Sequence, residues 1–406
     1  MPFPLSWIRE QFPALKESDT VYLDNAAGAQ VPQQVIANMT QALSTMQVNK
    51  GGAYSQSKRI TQAKEQVREK TATFLNAANP DAVTFGPNAT TLIELLAQAV
   101  GRWLKAGDEI IVTGLDHHAN IDPWRRLSER GVVLKTWLPT GDDTQLALDD
   151  LAALLSDKTR LVAMTLASNA LGTLTPVHDA VKRIHQAGCY AMVDAVHYAP
   201  HYLPDVQALA VDALVFSPYK VFGPHLGVLY LAEPLRQQLS GPRLSFFPTI
   251  GAITWEPGTQ NHEAIYAFGG VFEYLNALAA HQGLSGSERQ NWQTLYHAFA
   301  AHERALFTQL WQGLADLPCT CYGVQGTAGR TATLSFNLDH YSPATVANHL
   351  AADGIAVASG HYYAYDLMMK HLGLEPRGGA VRLSLLHYNT EADVARVLTS
   401  LSNLVQ

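Results

Sequence analysis

From about residue 80 onward, short apolar runs alternate with longer stretches of helical period, and that rhythm constrains the fold more than any other feature of the chain. The runs at 82–85, 109–113, 132–137, 161–166, 191–194 and 213–217 are rich in Val, Ile and Leu and too short to be helices. Between them, 91–104, 120–130, 146–155 and 177–187 carry apolar residues at helical spacing. Runs that stay apolar at successive positions are buried on both faces. Their alternation with helices predicts a mainly parallel sheet covered on both sides. A further run, 226–231, follows 213–217 after only about eight residues, too short a link for a crossover helix, so it is expected to pair antiparallel as a seventh strand.

Past residue 260 the pattern changes to α+β. Long helical stretches at 264–280 and 288–317 precede a strand at 331–337, a helix at 344–352, short strands at 355–358 and 381–386, and a last helix at 392–404. The polar, Gly-containing stretch Leu284-Ser285-Gly286-Ser287 suits a boundary. We therefore expect a large α/β domain over 16–284 and a smaller α+β domain over 285–406, joined by residues 1–15.

Composition narrows the function. With 28 Lys and Arg against 35 Asp and Glu, the net charge of −7 offers no footprint for nucleic acid or an anionic membrane. Three cysteines, Cys189, Cys319 and Cys321, exclude a disulfide framework and a four-thiolate zinc site, and no metal site is expected. No apolar run is long enough to span a membrane, and Arg9 and Glu10 interrupt the first residues before a secretory signal develops, so a cytoplasmic protein is expected.

In an open α/β sheet, ligands bind beyond the carboxyl ends of the strands. After the run at 213–217 stands Lys220, the only cation between Val211 and Leu231. In apolar surroundings an amine loses solvation, its pKa falls, and it becomes nucleophilic toward carbonyls. Taken alone, Lys220 could also be a lysine snorkelling from a strand end. Asp194 closes the run at 191–194. A lysine that forms an imine and a carboxylate that keeps a pyridine nitrogen protonated are the pair that pyridoxal phosphate chemistry requires. Gly86-Pro87-Asn88-Ala89-Thr90-Thr91, between a strand and a helical run, is a helix N-terminus suited either to phosphate or to plain capping. Ser217 and Tyr219 could add donors beside the lysine. His117 could stack on a flat ring, and Asn169 and His197 could donate to a phenolic oxygen, although each also suits a structural role.

These residues resemble the class V aminotransferase family of fold-type I pyridoxal phosphate enzymes, in the branch of cysteine desulfurases and selenocysteine lyases. The matching segments run in order from Tyr22-Leu23-Asp24-Asn25-Ala26-Ala27 to Tyr388-Asn389. They pass through His117-His118-Ala119-Asn120, Ser168-Asn169, Val193-Asp194-Ala195, Ser217 with Lys220 and Gly223-Pro224, Glu256 with Thr259, Gly360-His361 and Arg382. The resemblance implies a fold-type I transferase architecture and a homodimer with shared active sites. It implies that Lys220 forms the internal aldimine and moves the α-proton, that Asp194 pairs with the pyridinium and that His117 stacks on the ring. Asn169 would lie near the phenolic oxygen and the substrate, and Ala89, Thr90, Ser217 and Tyr219 would hold phosphate. Thr259 would reach the phosphate of the other subunit, and Arg382 would clamp the carboxylate of a small α-amino acid.

Departures from the family pattern bear on the reaction. Desulfurases carry a cysteine on the loop after a Gly-His pair, whereas here the loop is Ser359-Gly360-His361-Tyr362-Tyr363-Ala364-Tyr365. Tyr363 holds the nucleophile's place, and a phenol cannot form a persulfide. His197 stands where the branch has glutamine, Tyr219 where it has histidine, and Lys50-Gly51-Gly52 replaces an expected arginine with glycine. The expectation is an enzyme with His361 and Tyr363 at the substrate and lyase, desulfinase, selenocysteine-lyase or aminotransferase chemistry. A true desulfurase and a cofactor-binding protein with little catalysis are the alternatives.

Overall fold

Seven strands build the central sheet of the computed structural model, which describes residues 3–141 and 143–406. After two short helices, Leu5–Glu10 and Pro13–Glu17, the chain lays down β1 (Val21–Tyr22) and two long helices, Gln33–Thr45 and Ser55–Leu75. It then runs β2 (Val83–Gly86), β3 (Glu109–Thr113), β4 (Val133–Trp137), β5 (Thr159–Thr165), β6 (Tyr190–Asp194), β7 (Ala213–Phe216) and β8 (Gly227–Leu231). Across the sheet the order is β2-β8-β7-β6-β5-β3-β4. β8 is antiparallel to β7 and to β2, as its short connection predicts, and the other pairings are parallel.

Every residue of β3 and β7 is buried. Successive side chains leave a strand on opposite faces, so full burial requires cover on both. Ile111, Val162, Val193 and Leu214 pack on one face with Phe268 and Phe272 of the helix His262–His281. Ile110, Val112, Leu161 and Met192 pack on the other with Leu92, Ile93 and Leu96 of the helix Ala89–Trp103. Each such side chain taken fully out of water contributes about 1.5–3 kcal/mol.

The helix Glu288–Ala315 leads into β9 (Cys319–Tyr322), β10 (Thr333–Leu338), the helix Pro343–Ala352, β11 (Ile355–Ala356), β12 (Ala358–Gly360), β13 (Ala380–Ser384) and the helix Glu391–Val405. β12-β13-β10-β9 form a four-stranded antiparallel sheet. The proposed division at 284/285 falls in the turn between the two long helices. Residues near the N-terminus touch both parts: β1 pairs with β11, whereas Phe12 meets Phe222 and Tyr274 edge-on.

Three expectations need correction. The run at 132–137 is not buried on both faces: β4 is the edge strand of the sheet, and of its residues Trp137 alone is buried. Residues 120–130 do not form one helix but a single α turn, Asp122–Arg125, between 3-10 turns at His118–Asn120 and Arg126–Arg130. Pro123 has no amide to give to a continuing helix, and Gly131 ends the segment in the left-handed region at φ 80°. The strand expected at 355–358 divides at Val357, so that β11 joins β1 and β12 joins β13.

Candidate active site

The carboxyl ends of β3, β5, β6 and β7 open onto two adjoining cavities, which share His117, Asn169, Tyr219 and Lys220. The inner one, about 60 Å³, lies against the sheet and is bordered by Asp194, His197 and Ser217. Ala89 and Thr90 also border it, at the start of the helix Ala89–Trp103. Asn88 caps that helix by accepting from the Thr91 N–H at 2.8 Å, which leaves the first N–H groups and the positive end of the helix dipole directed at the cavity. The outer cavity, about 440 Å³, is walled by Ala26, Ala27, Arg382 and the loop 358–363.

Charge inside the cleft is set mainly by burial. Lys220 is 6% exposed, and burial, with Arg382 beside it, lowers its amine to about 8 against the pull of Asp194 and Asp24. Burial raises Asp194 to about 6, although it accepts from the Val196 N–H at 2.8 Å and faces Lys220. His117 is pushed down to about 3 by burial and by the charges of Lys220, His118 and Arg382. The site thus presents a neutral imidazole beside an amine that gives up its proton readily.

Arg382 lies on β13, buried, and reaches the cleft from the small sheet. One of its terminal nitrogens donates to the Asn169 carbonyl and the other to Asp24 Oδ1, both at 2.9 Å, while the guanidinium stacks over Tyr362 at 4.4 Å. The sequence reading assigned no role to Asp24. The structure makes it the ion-pair partner of Arg382 from the chain's first strand segment, next to the Asp24–Ser384 bridge.

The loop that carries the tyrosines is tied down at several points. The Tyr363 carbonyl accepts from the His118 N–H and the Tyr362 carbonyl from Asn169 Nδ2, each at 2.8 Å. His361 Nδ1 accepts from the Tyr363 N–H at 3.2 Å. Tyr362 and Tyr363 both have left-handed backbones, φ 51° and 60°, which cost a non-glycine residue of order 1–3 kcal/mol each and persist only where surrounding contacts enforce them. The Tyr363 ring is 69% exposed and stands 5.2 Å from the His117 ring, tilted by 32°.

Among the described residues, three buried polar atoms in this cleft have no partner: Asn169 Oδ1, His197 Nδ1 and Arg382 Nε. Such atoms are costly unless a ligand satisfies them. Asn169, with its Nδ2 on the Tyr362 carbonyl, keeps an acceptor free and not the donor expected for a phenolic oxygen, whereas pyridoxal phosphate with an amino acid fits the other two. Its phosphate suits the Ala89–Thr90 amides and Ser217, its ring nitrogen suits Asp194, its aldehyde suits Lys220, and the amino-acid carboxylate suits Arg382. Thr259 borders neither cavity and lies instead in a separate apolar cleft with Phe85, Leu92 and Trp255. The cysteines also stand apart. Cys189 precedes β6 at the amino ends of the strands, its thiol against the Thr159 carbonyl, and Cys319 and Cys321 sit on the edge strand β9. Among the described residues no group of three or more His, Cys, Asp or Glu could hold a metal ion, and no helix is long and apolar enough to cross a membrane.

Residues 21–397 match the family model for aminotransferase class V. A cysteine desulfurase of Enterobacter sp. (strain 638) is 34% identical over 424 aligned positions, covering 100% of this chain and 99% of the relative. Among solved structures, the apo cysteine desulfurase of Thermococcus onnurineus NA1 superposes with a TM-score of 0.89 at 27% identity, covering 100% of this chain and 98% of that one. The Escherichia coli cysteine desulfurase CsdA, in an S-sulfonic acid form, superposes with a TM-score of 0.85 at 28% identity, covering 100% of this chain and 99% of that one.

Proposed function

The chain belongs to the class V aminotransferase family, and on that premise we propose a homodimeric enzyme that takes the Cα proton of a small α-amino acid at Lys220 and releases a β-substituent without a protein thiol to receive it. Like its family, the chain is a pyridoxal phosphate-dependent enzyme of fold-type I. When bound, pyridoxal phosphate supplies an aldehyde for amines and a ring that accepts the electron pair left at Cα.

The chain's own residues supply the rest. Arg382, held by Asp24 and the Asn169 carbonyl, orients the substrate carboxylate through donors it has left, Nε among them. Lys220, with its lowered amine, is the base and later the acid at Cα. Asp194 would hold the ring nitrogen, and His117, kept neutral by burial, would cover the ring without adding charge.

The observation that carries the choice of reaction is the loop pinned over the cleft. Its carbonyls are bound to His118 and Asn169, and it presents the phenol of Tyr363 beside His117, while the chain's three cysteines border neither cavity. Sulfur dioxide from a sulfinate, or elemental selenium from a selenol, parts from Cβ and leaves the bonding pair there to be protonated, so neither needs a thiolate acceptor. Desulfinase-like or selenocysteine-lyase-like turnover therefore suits this site better than sulfur transfer. A homodimer is supported by Thr259, which lies outside the cavities of its own chain and lines an open apolar cleft.

The test is to offer cysteine sulfinate, selenocysteine, cysteine, alanine and aspartate to the cofactor-loaded protein and identify products by mass spectrometry. We expect alanine with sulfite from cysteine sulfinate and alanine with elemental selenium from selenocysteine, and cysteine slower by about 100-fold or more, a barrier difference of about 2.7 kcal/mol. The cysteine desulfurase activity named for the relatives is the second reading. Comparable turnover of cysteine, with a protein persulfide, would establish it and remove our account of the loop.

A further inference from the structure

Behind the inner cavity, buried ionisable groups lead away from the site toward the long helix Glu288–Ala315. His197 borders the cavity, and its ring meets that of His201 nearly edge-on, with centroids 5.2 Å apart. His201 Nδ1 lies 2.7 Å from Glu303 Oε2, and both side chains are 3% exposed. A buried pair of this kind adds little stability over apolar packing. Its place beside the cavity is better explained by what it does to His197.

One nitrogen of His197, Nε2, is 3.2 Å from Thr331 Oγ1, and the other, Nδ1, has no partner. A threonine hydroxyl can give or take a hydrogen bond, so the surroundings choose the tautomer of the ring. With Nε2 accepting from Thr331, the proton sits on Nδ1, and that buried N–H needs an acceptor from the contents of the cavity.

We propose that Glu303 and His201 are positioning residues for His197, fixing it as the tautomer whose Nδ1–H is offered to an oxygen of the bound cofactor; the oxygen's identity rests on the cofactor assignment above. Glu303 holds His201 by Nδ1, which fixes the edge of the His201 ring against His197. Burial, with the charges of His201, Lys220 and Arg382, keeps His197 well below the ordinary histidine range, so it does not take a second proton. Asp194 shares the cavity with Lys220. On the far side, the His387 backbone N–H faces Glu303, the phenols of Tyr202, Tyr296 and Tyr388 sense its charge, and Glu303 and Arg304 border a third, separate cavity.

The protein loaded with pyridoxal phosphate is titrated with pH while its visible band is recorded, for the unaltered chain, Glu303→Gln, His197→Gln and the double variant. Loss of a fixed donor makes the cofactor oxygen more basic. Glu303→Gln should therefore raise the midpoint by about 0.5–1 pH unit where His197 is present, and by less than about 0.2 unit beside His197→Gln. Equal shifts in both backgrounds, or none in either, would overturn the proposal. His201→Gln should reproduce the pattern and replaces Glu303→Gln if that variant does not fold. Ring-nitrogen NMR of histidine-labelled protein without cofactor judges the pair independently of the cofactor assignment. His197 should show one tautomer, with Nδ1 protonated, in the unaltered chain and a mixture in Glu303→Gln or His201→Gln. A mixture already present in the unaltered chain would also overturn it. A missing visible band beside a single tautomer would fault the cofactor reading and leave the pair supported.

Discussion

Arg382 combines three interactions that are far apart in sequence: a carbonyl at position 169, a carboxylate at position 24 and the face of Tyr362. Arg382 is buried while Asp24 is about one-third exposed, so removing the guanidinium is expected to cost near the low end of the roughly 2–5 kcal/mol of a desolvated charged pair. Arg382→Ala should therefore weaken the spectral response to amino acids by about 30-fold or more while the cofactor band stays, and an unchanged response would remove Arg382 from the substrate site. At Lys220 the sign of the pH dependence follows from its lowered amine. Below about 8 the amine is protonated and inert toward an aldehyde; above it the amine is free, so the rate of cofactor capture should rise through that pH and then level. A midpoint near the ordinary lysine value would contradict this. Lys220 and Asp194 were legible in the sequence because a lone charge at the end of an apolar run has few plain explanations. Asp24 was not, because its partner lies 358 residues away and a loop aspartate has many.

The helix Ser55–Leu75 escaped the sequence reading for a physical reason. Its buried face includes Lys64, Arg68 and Thr71, so no clean apolar stripe marks it. Lys64 and Arg68, one turn apart, meet the same buried carboxylate, Glu256, at 2.8 and 2.9 Å. Burial alone would raise Glu256, but Arg68 and Lys64 hold it below the ordinary range, whereas burial lowers Lys64 to about 8. Glu256→Gln leaves buried Lys64 without a carboxylate and buried Arg68 with only the exposed Glu65, and should destabilise the fold by about 3–5 kcal/mol in denaturant unfolding. A loss under about 1 kcal/mol would show that the cluster is not held by charge. The 359–364 loop was legible as an altered sequence, but its two left-handed tyrosines and its ties to His118 and Asn169 needed coordinates.

Over the whole molecule, the central sheet was the most legible part. Strands buried on both faces declare themselves by continuous apolar runs, and the antiparallel β8 by a link too short for a helix. Association is harder to see from the sequence, because an interface resembles any other surface until the chain is folded. Phe246 and Ile250 are 78% and 76% exposed, on the stretch before the 3-10 turn Ala252–Trp255, and under the proposed homodimer they are the apolar residues expected at the contact. Sedimentation should give twice the chain mass, with Phe246→Asp combined with Ile250→Asp favouring the single chain; an unaltered protein that stays monomeric at micromolar concentration would contradict the dimer. The central claim is that Lys220 holds the cofactor, and borohydride reduction followed by peptide mass spectrometry tests it most directly. We predict one pyridoxyl-phosphate adduct, on Lys220, absent from Lys220→Ala together with the visible band; an adduct on another lysine, or a band that survives in the variant, would contradict the account.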